Sequence, residues 1–147
     1  MNEINNRILD FLKKNSKCSY REISKKLLIP VTTVHHRIKK LEKEGIIKKY
    51  SIVVDNAKLG NDIAAFVLIK VDYTALKNIG ISQQQLAKKL KLNPKIENVT
   101  LITGFRDIII KVRCKNIEEL NGIITRDLRN LQGIESTETL VVLEEIE

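Results

Sequence analysis

The sequence predicts an α+β chain of two domains: a winged helix-turn-helix domain, then a ferredoxin-like βαββαβ domain with a four-stranded antiparallel sheet and two helices on one face. Three observations predict it. Apolar residues recur at helical spacing as far as Gly45 and at strand spacing afterwards. The polar, glycine-containing stretch NAKLGN, Asn56–Asn61, separates the two patterns. Charge divides at the same place. Residues 1–55 hold 13 basic side chains against 6 acidic ones, a net of +7, and residues 56–147 hold 13 against 12, a net of +1. The boundaries implied are 1–50 for the helical domain, 51–61 for a linker strand and connector, and 62–147 for the sheet domain.

A chain of 147 residues suffices for two small domains. Hydrophobic residues make up 43%, with no Trp and only three Phe and three Tyr, so Ile, Leu and Val must fill the cores.

The first element is a helix over Glu3–Lys14, from the spacing of Ile4, Ile8, Leu9, Phe11 and Leu12. Ser19 and Glu22 in SYRE have the form of a capping box, which starts a second helix from Tyr20 to about Leu28 with Ile23, Leu27 and Leu28 inward. Leu28-Ile29-Pro30 is a tight turn. A third helix begins at Val31 or Thr32, buries Val34, Ile38 and Leu41 with Ile46 flanking, and ends at Gly45. Its other residues are hydroxylated and then strongly basic. Such a helix fits the major groove of DNA. The segment IIKKYSIVVD alternates and predicts a short wing hairpin and a departing strand, with Lys48 and Lys49 placed for phosphates or for solubility.

In the second domain, Ala64–Tyr73 predicts a strand and Ser82–Leu92 a capped helix. Asn98–Thr103 and Asp107–Cys114 predict strands around the turn Gly104-Phe105-Arg106. Asn116–Asn130 predicts a helix with Ile117, Leu120, Ile123, Ile124 and Leu128 inside. Ile134–Glu145 predicts a last strand with Thr137, Thr139, Val141 and Leu143 on one face. This βαββαβ order leaves one sheet face without cover from its own chain, and a face rich in Ile and Val needs a partner, so self-association is expected.

Other classes fit poorly. The N-terminus breaks every apolar run with charges, and no stretch approaches the roughly 20 apolar residues of a membrane span, so a cytoplasmic protein is expected. Cys18 and Cys114 have no partner at metal-ligand spacing and read as reduced thiols. His35 and His36 are adjacent, diverge by about 100° on a helix and lack a third ligand, so neither a metal nor a cofactor is expected.

The two domains in this order resemble the Lrp/AsnC (feast/famine) family of transcription regulators. The resemblance spans essentially the whole chain. It rests on ILDFLKKN, YREISKKL and VTTVHHRIKKLEKEGIIKKY in the first domain, and on NPKIENVTLITGFRDIIIKV in the second. It implies a regulator binding near-palindromic double-stranded DNA as a homodimer that assembles further, into tetramers or octamers. It also implies an amino-acid effector and contact with the basal transcription machinery. Thr32, Thr33, His35 and His36 are the expected base readers. Arg37 reads a guanine or holds a phosphate, and Lys39, Lys40 and Lys43 hold phosphates, as do Ser19, Tyr20 and Arg21. Thr103, Gly104, Phe105, Arg106 and Asp107 resemble the family's Gly-x-x-Asp turn and map to its effector region, with Thr137 and Thr139 as weaker candidates. Asp107 would accept an ammonium and Arg106 a carboxylate, although Gly104 and Asp107 equally suit a plain hairpin turn. The stretch TALKNIGIS is longer than is usual for the family. An architectural DNA-wrapping protein is the alternative. An Lrp-like tetrapyrrole decarboxylase is disfavoured, because no His follows residue 36 and no catalytic residue stands out.

Overall fold

A computed structural model describes residues 2–146. The chain forms two compact units, Met1–Val54 and Asp55–Glu147.

The first unit holds α1 (Glu3–Lys14), α2 (Tyr20–Leu27) and α3 (Val31–Lys43). Each start has a local cause. The Asn2 side chain accepts from the Ile4 N–H and caps α1. Ser19 and Glu22 close the expected capping box on α2, with the Ser19 N–H donating to the Glu22 carboxylate at 2.6 Å and the Glu22 N–H to Ser19 Oγ at 3.2 Å. Ile8, Ile23, Val34 and Ile38 are fully buried and, with Leu12, form the core where the three helices meet.

Two turns set the angle of α3. Leu28 takes the left-handed conformation, φ 55°, and its side chain is 90% exposed. Ser24 and Arg7 hold that turn, Ser24 Oγ donating to the Ile29 carbonyl at 2.6 Å and Arg7 Nη2 to the Leu27 carbonyl at 3.2 Å. At the other end, Gly45 has φ 69°, its N–H bonds to the Glu42 carbonyl, and the Ile46 N–H bonds to the Leu41 carbonyl. This is a Schellman ending, and it needs the residue without a Cβ. The reversal carries Ile47, rather than Ile46, against the core; Ile46 remains 44% exposed.

The expected wing hairpin and departing strand are corrected. Among the described residues, 46–55 form neither. Among the described residues no strand pairs with the run, and strand composition alone does not make a hairpin. Ile52 and Val53 stand 80% and 95% exposed.

The second unit is a four-stranded antiparallel sheet in the order β2-β3-β1-β4. The strands are β1 (Ile63–Val71), β2 (Ile96–Leu101), β3 (Ile108–Cys114) and β4 (Ile134–Val141). The helices are α4 (Tyr73–Asn78), α5 (Gln83–Lys91) and α6 (Ile117–Gly122), the last continuing as a π-helical stretch, Ile123–Leu128. Ala65, Val67, Ile69 and Val71 of β1 and Ile108, Ile110, Val112 and Cys114 of β3 point to one face. They pack there with Leu76, Leu86, Leu90, Leu120, Ile123 and Leu128. The opposite face carries Phe66, Leu68, Ile109 and Leu140, all only partly buried or exposed.

Several element limits differ from expectation. Asp72 ends β1 early, because its carboxylate accepts from the Ala75 N–H at 2.9 Å and starts α4 within the long TALKNIGIS connection. A bulge between Ile96 and Asn98 shifts β2 toward the N-terminus. Ile117, expected inside, is 54% exposed, because it opens α6 right after the Asn116 cap. Leu143, expected on β4 and on one face with Thr137, lies beyond the end of the strand and is fully exposed.

Candidate nucleic-acid interface and effector region

The geometry of α3 sorts the proposed DNA contacts. At about 100° per residue, the buried stripe of Val34, Ile38 and Leu41 puts Thr32, His36, Lys39, Lys40 and Lys43 around the opposite, outward side. Thr32, His36, Lys39, Lys40 and Lys43 are exposed. Thr33 and Arg37 fall on one flank, His35 and Glu42 on the other.

The two flanks are engaged differently. Arg37 is half-buried and donates from Nη1 to Asn5 Oδ1 on α1 at 2.8 Å. Thr32, Thr33, His36, Arg37 and Lys40 together line a shallow concavity of about 390 Å³. On the other flank the His35 ring meets Tyr20 edge-on, with centroids 5.2 Å apart. Lys39 donates to the Glu42 carboxylate at 3.0 Å, and the Tyr50 hydroxyl donates to its other oxygen at 2.8 Å. The hydrogen bond from Lys39, then that from Tyr50, holds the Glu42 carboxyl below its usual range. Burial, with the bond to Glu42, pushes the Tyr50 phenol up to about 12. Ser19 and Arg21 are exposed at the start of α2, and Tyr20 is half-buried. Asn5, Glu42 and Tyr50 are absent from the expected set. The Lys39–Glu42 spacing of three residues on a helix was the available signal.

The Asp107 region is built inward. The Asp107 carboxylate accepts from the Val71 N–H at 2.9 Å and the Tyr73 hydroxyl at 3.0 Å, and pairs with Lys70 at 3.2 Å. Its backbone carbonyl accepts from Gln83 Nε2 at 3.1 Å. Burial pushes its pKa up, but the bonds from Val71, Tyr73 and Lys70 outweigh it and leave the carboxyl below its ordinary value. The acceptor sites expected for an ammonium are thus already filled by this chain's own donors. Gly104 has φ 126°, a conformation that L side chains rarely adopt, and shapes the turn. Thr103 is exposed and Phe105 is 84% exposed. The Arg106 guanidinium stacks over Phe105 at 4.9 Å and pairs with Glu138 at 2.9 Å. Thr137 and Thr139 lie opposite Ile69 and Val67, on the covered face, whereas Glu138 lies opposite Leu68, on the open one. Arg106 and the two threonines therefore address opposite sides of the sheet. Lys70, Tyr73, Gln83 and Glu138 complete this region, and no local spacing announces them.

A helix-turn-helix unit with a basic outer helix face, followed by a helix-backed antiparallel sheet, defines a two-domain DNA-binding regulator. Comparison with known proteins specifies it further. Residues 1–48 match the winged helix-turn-helix DNA-binding family, and residues 64–147 match the Lrp/AsnC ligand binding domain. The chain belongs to the Lrp/AsnC family of transcription regulators. It is 38% identical over 143 residues to the HTH-type transcriptional regulator FL11 of Pyrococcus furiosus, covering 97% of this chain and 89% of that one. The structure is similar to that of B. subtilis LrpC, with a TM-score of 0.85 and 26% identity over 100% of this chain and 97% of that one. A transcriptional regulator of Neisseria meningitidis solved in complex with L-Met shares the fold, with a TM-score of 0.88 at 17% identity, covering 100% of this chain and 92% of that one.

Proposed function

We propose that this regulator binds near-palindromic promoter DNA as a homodimer, laying the outward side of α3 into the major groove of each half-site. The observation that carries the reading is the division of α3. Val34, Ile38 and Leu41 are fully buried, while Thr32, His36, Lys39, Lys40 and Lys43 stand exposed opposite them. Thr32 and His36 reach base edges. Lys40 and Lys43, with Ser19, Tyr20 and Arg21 at the start of α2, hold phosphates, and Lys39, paired with Glu42, does so only when that pair opens. Thr33 and His35 border the groove contact from the flanks. Arg37, with one nitrogen committed to Asn5, positions α3 and contacts the backbone. Two surfaces support self-association: the open sheet face with Phe66, Leu68, Ile109 and Leu140, and the exposed extended run of Ile52 and Val53. Dimers assembling further into tetramers or octamers, and contact with the basal transcription machinery, complete the reading.

The second domain takes an amino acid at the turn of Thr103, Gly104, Phe105, Arg106 and Asp107. Arg106, half-buried beside an exposed aromatic ring, is the group for its carboxylate. Asp107 acts there by fixing the turn, and Thr137 and Thr139, on the covered face, lie outside this site. The protein is read as a non-enzyme working in the cytoplasm without cofactor or metal. Among the described residues no helix is long and apolar enough to cross a membrane, and no cluster of His, Cys, Asp and Glu could hold a metal ion.

Selection of bound fragments from random DNA, at two salt concentrations, tests the reading. Enrichment of a near-palindrome with half-sites about one helical turn apart is expected. Broad, length-dependent binding without a motif would replace it with the architectural role. No binding at low salt, where backbone contacts are strongest, would remove DNA binding by this face.

A further inference from the structure

The recognition helix carries an acid where helix physics disfavours one. Glu42 lies in the last turn of α3, which ends at Lys43, and the helix macrodipole there favours cations. The order is also the weaker one, with the basic residue N-terminal to the acid. Little is gained by the helix itself. Yet the Glu42 carboxylate is fully used: one oxygen receives Lys39 at 3.0 Å and the other the Tyr50 hydroxyl at 2.8 Å. The Glu42 side chain is 29% exposed, against 58% for Lys39. The anion is therefore held near the body of the domain while the cation reaches outward. Tyr50 leaves Glu42 little freedom to swing away, and Ser16 pins the adjoining segment by donating to the Ser51 carbonyl at 3.2 Å. The neighbouring pair, Lys40 and Glu44, is longer, at 3.7 Å.

We infer that Glu42 is a positioning residue that stands in for a DNA phosphate, withholding Lys39 from the duplex backbone and so holding down sequence-independent binding. This rests on the proposed use of the α3 face. A carboxylate oxygen presented to an ammonium offers the same chemistry as a phosphate oxygen. Duplex DNA must displace it before Lys39 counts as a phosphate contact, and backbone contacts carry affinity without sequence information. Tyr50 keeps the substitute in place by occupying the carboxylate oxygen that Lys39 does not use.

The test is binding of a random-sequence duplex by the full-length protein across a salt series, comparing wild type, Glu42→Gln, Lys39→Ala, Lys39→Ala/Glu42→Gln and Tyr50→Phe. Glu42→Gln is expected to bind about two- to fivefold more tightly, the range of an exposed ion pair. Its plot of log affinity against log salt should steepen by about 0.9, one additional phosphate contact. The double variant should match Lys39→Ala, because Glu42 acts through Lys39. Tyr50→Phe, which frees Glu42 to swing away from Lys39, should tighten binding by no more than Glu42→Gln does. An equal gain from Glu42→Gln in the Lys39→Ala background would overturn the inference in favour of general charge repulsion. Tightening by Tyr50→Phe that exceeds that of Glu42→Gln would overturn it in favour of release of the segment after α3. Wild-type binding that Glu42→Gln leaves unchanged would overturn this inference alone. Absence of wild-type binding at any salt would overturn it together with the reading of the α3 face.

Discussion

The outward side of α3 and the Asp107 turn are both built from charged side chains, and they use them in opposite ways. On α3 the charges stand in solvent around a separate apolar stripe, so each can be removed without opening the core. At the turn, one aspartate, 8% exposed, gathers donors on its carboxylate from the end of β1 and the start of α4. On the proposed use of the two regions, function and stability are separable in the first and joined in the second. Opposite charges in water contribute little to folding, whereas a buried acceptor that is removed leaves its donors unpaired.

The largest expected effect follows from that difference. Asp107→Ala leaves the Val71 N–H, the Tyr73 hydroxyl and the Lys70 ammonium without their shared partner. A loss of about 2–4 kcal/mol is expected in urea denaturation, since the buried Val71 N–H is stranded and two partly exposed donors lose their acceptor. Asp107→Asn, which keeps an acceptor but loses the charge, should cost less. The pH dependence has a definite sign. The folded pKa is lowered, so the stabilisation is complete above the unfolded value of about 3.9 and is lost as pH falls through the lower folded value. The gap between wild type and Asp107→Asn should therefore close in acid. A gap that widened below pH 4 would contradict the assignment of the charge.

A middle effect tests the other side. His36→Ala should relax base preference at one operator position by about 1–3 kcal/mol, while Lys43→Ala should flatten the salt dependence by about 0.9 without changing the preferred sequence. Neither should shift the urea midpoint. A shared shift in stability would show that the α3 face is not independent of the domain's packing.

This contrast also explains what could be read from the sequence. The α3 face was legible because it is periodic: the apolar stripe fixes the helix phase, and the phase fixes which charges face outward. The Ser19 capping box, the glycine ending of α3 and the order of elements along the chain share that local grammar. The partners of Asp107 were not legible. Val71, Tyr73 and Gln83 meet it only through β1–β3 pairing and the packing of α4 and α5, at separations for which no spacing rule exists. Thr137 and Thr139 were placed on one face correctly by alternation, but which face could not be read until β4 was paired with β1. The absent wing failed for a related reason: IIKKYSIVVD has strand composition, and composition does not supply a pairing partner.

Leu28 gives the smallest and most discriminating effect. It is a turn residue with φ 55°, a conformation that costs a residue with a Cβ roughly 1–2 kcal/mol. Its side chain is 90% exposed, so little burial compensates. Leu28→Gly relieves that strain but loosens the unfolded chain, which returns part of the gain. A net stabilisation of about 0.5 kcal/mol is expected. The turn sets where α3 begins, yet its hydrogen bonds from Ser24 and Arg7 go to backbone carbonyls and do not depend on the Leu28 side chain. DNA affinity should then stay at the wild-type value while the urea midpoint rises. If affinity fell as stability rose, the strain at Leu28 would be holding α3 in its binding orientation, and the separation of function from stability in this domain would end at its turn.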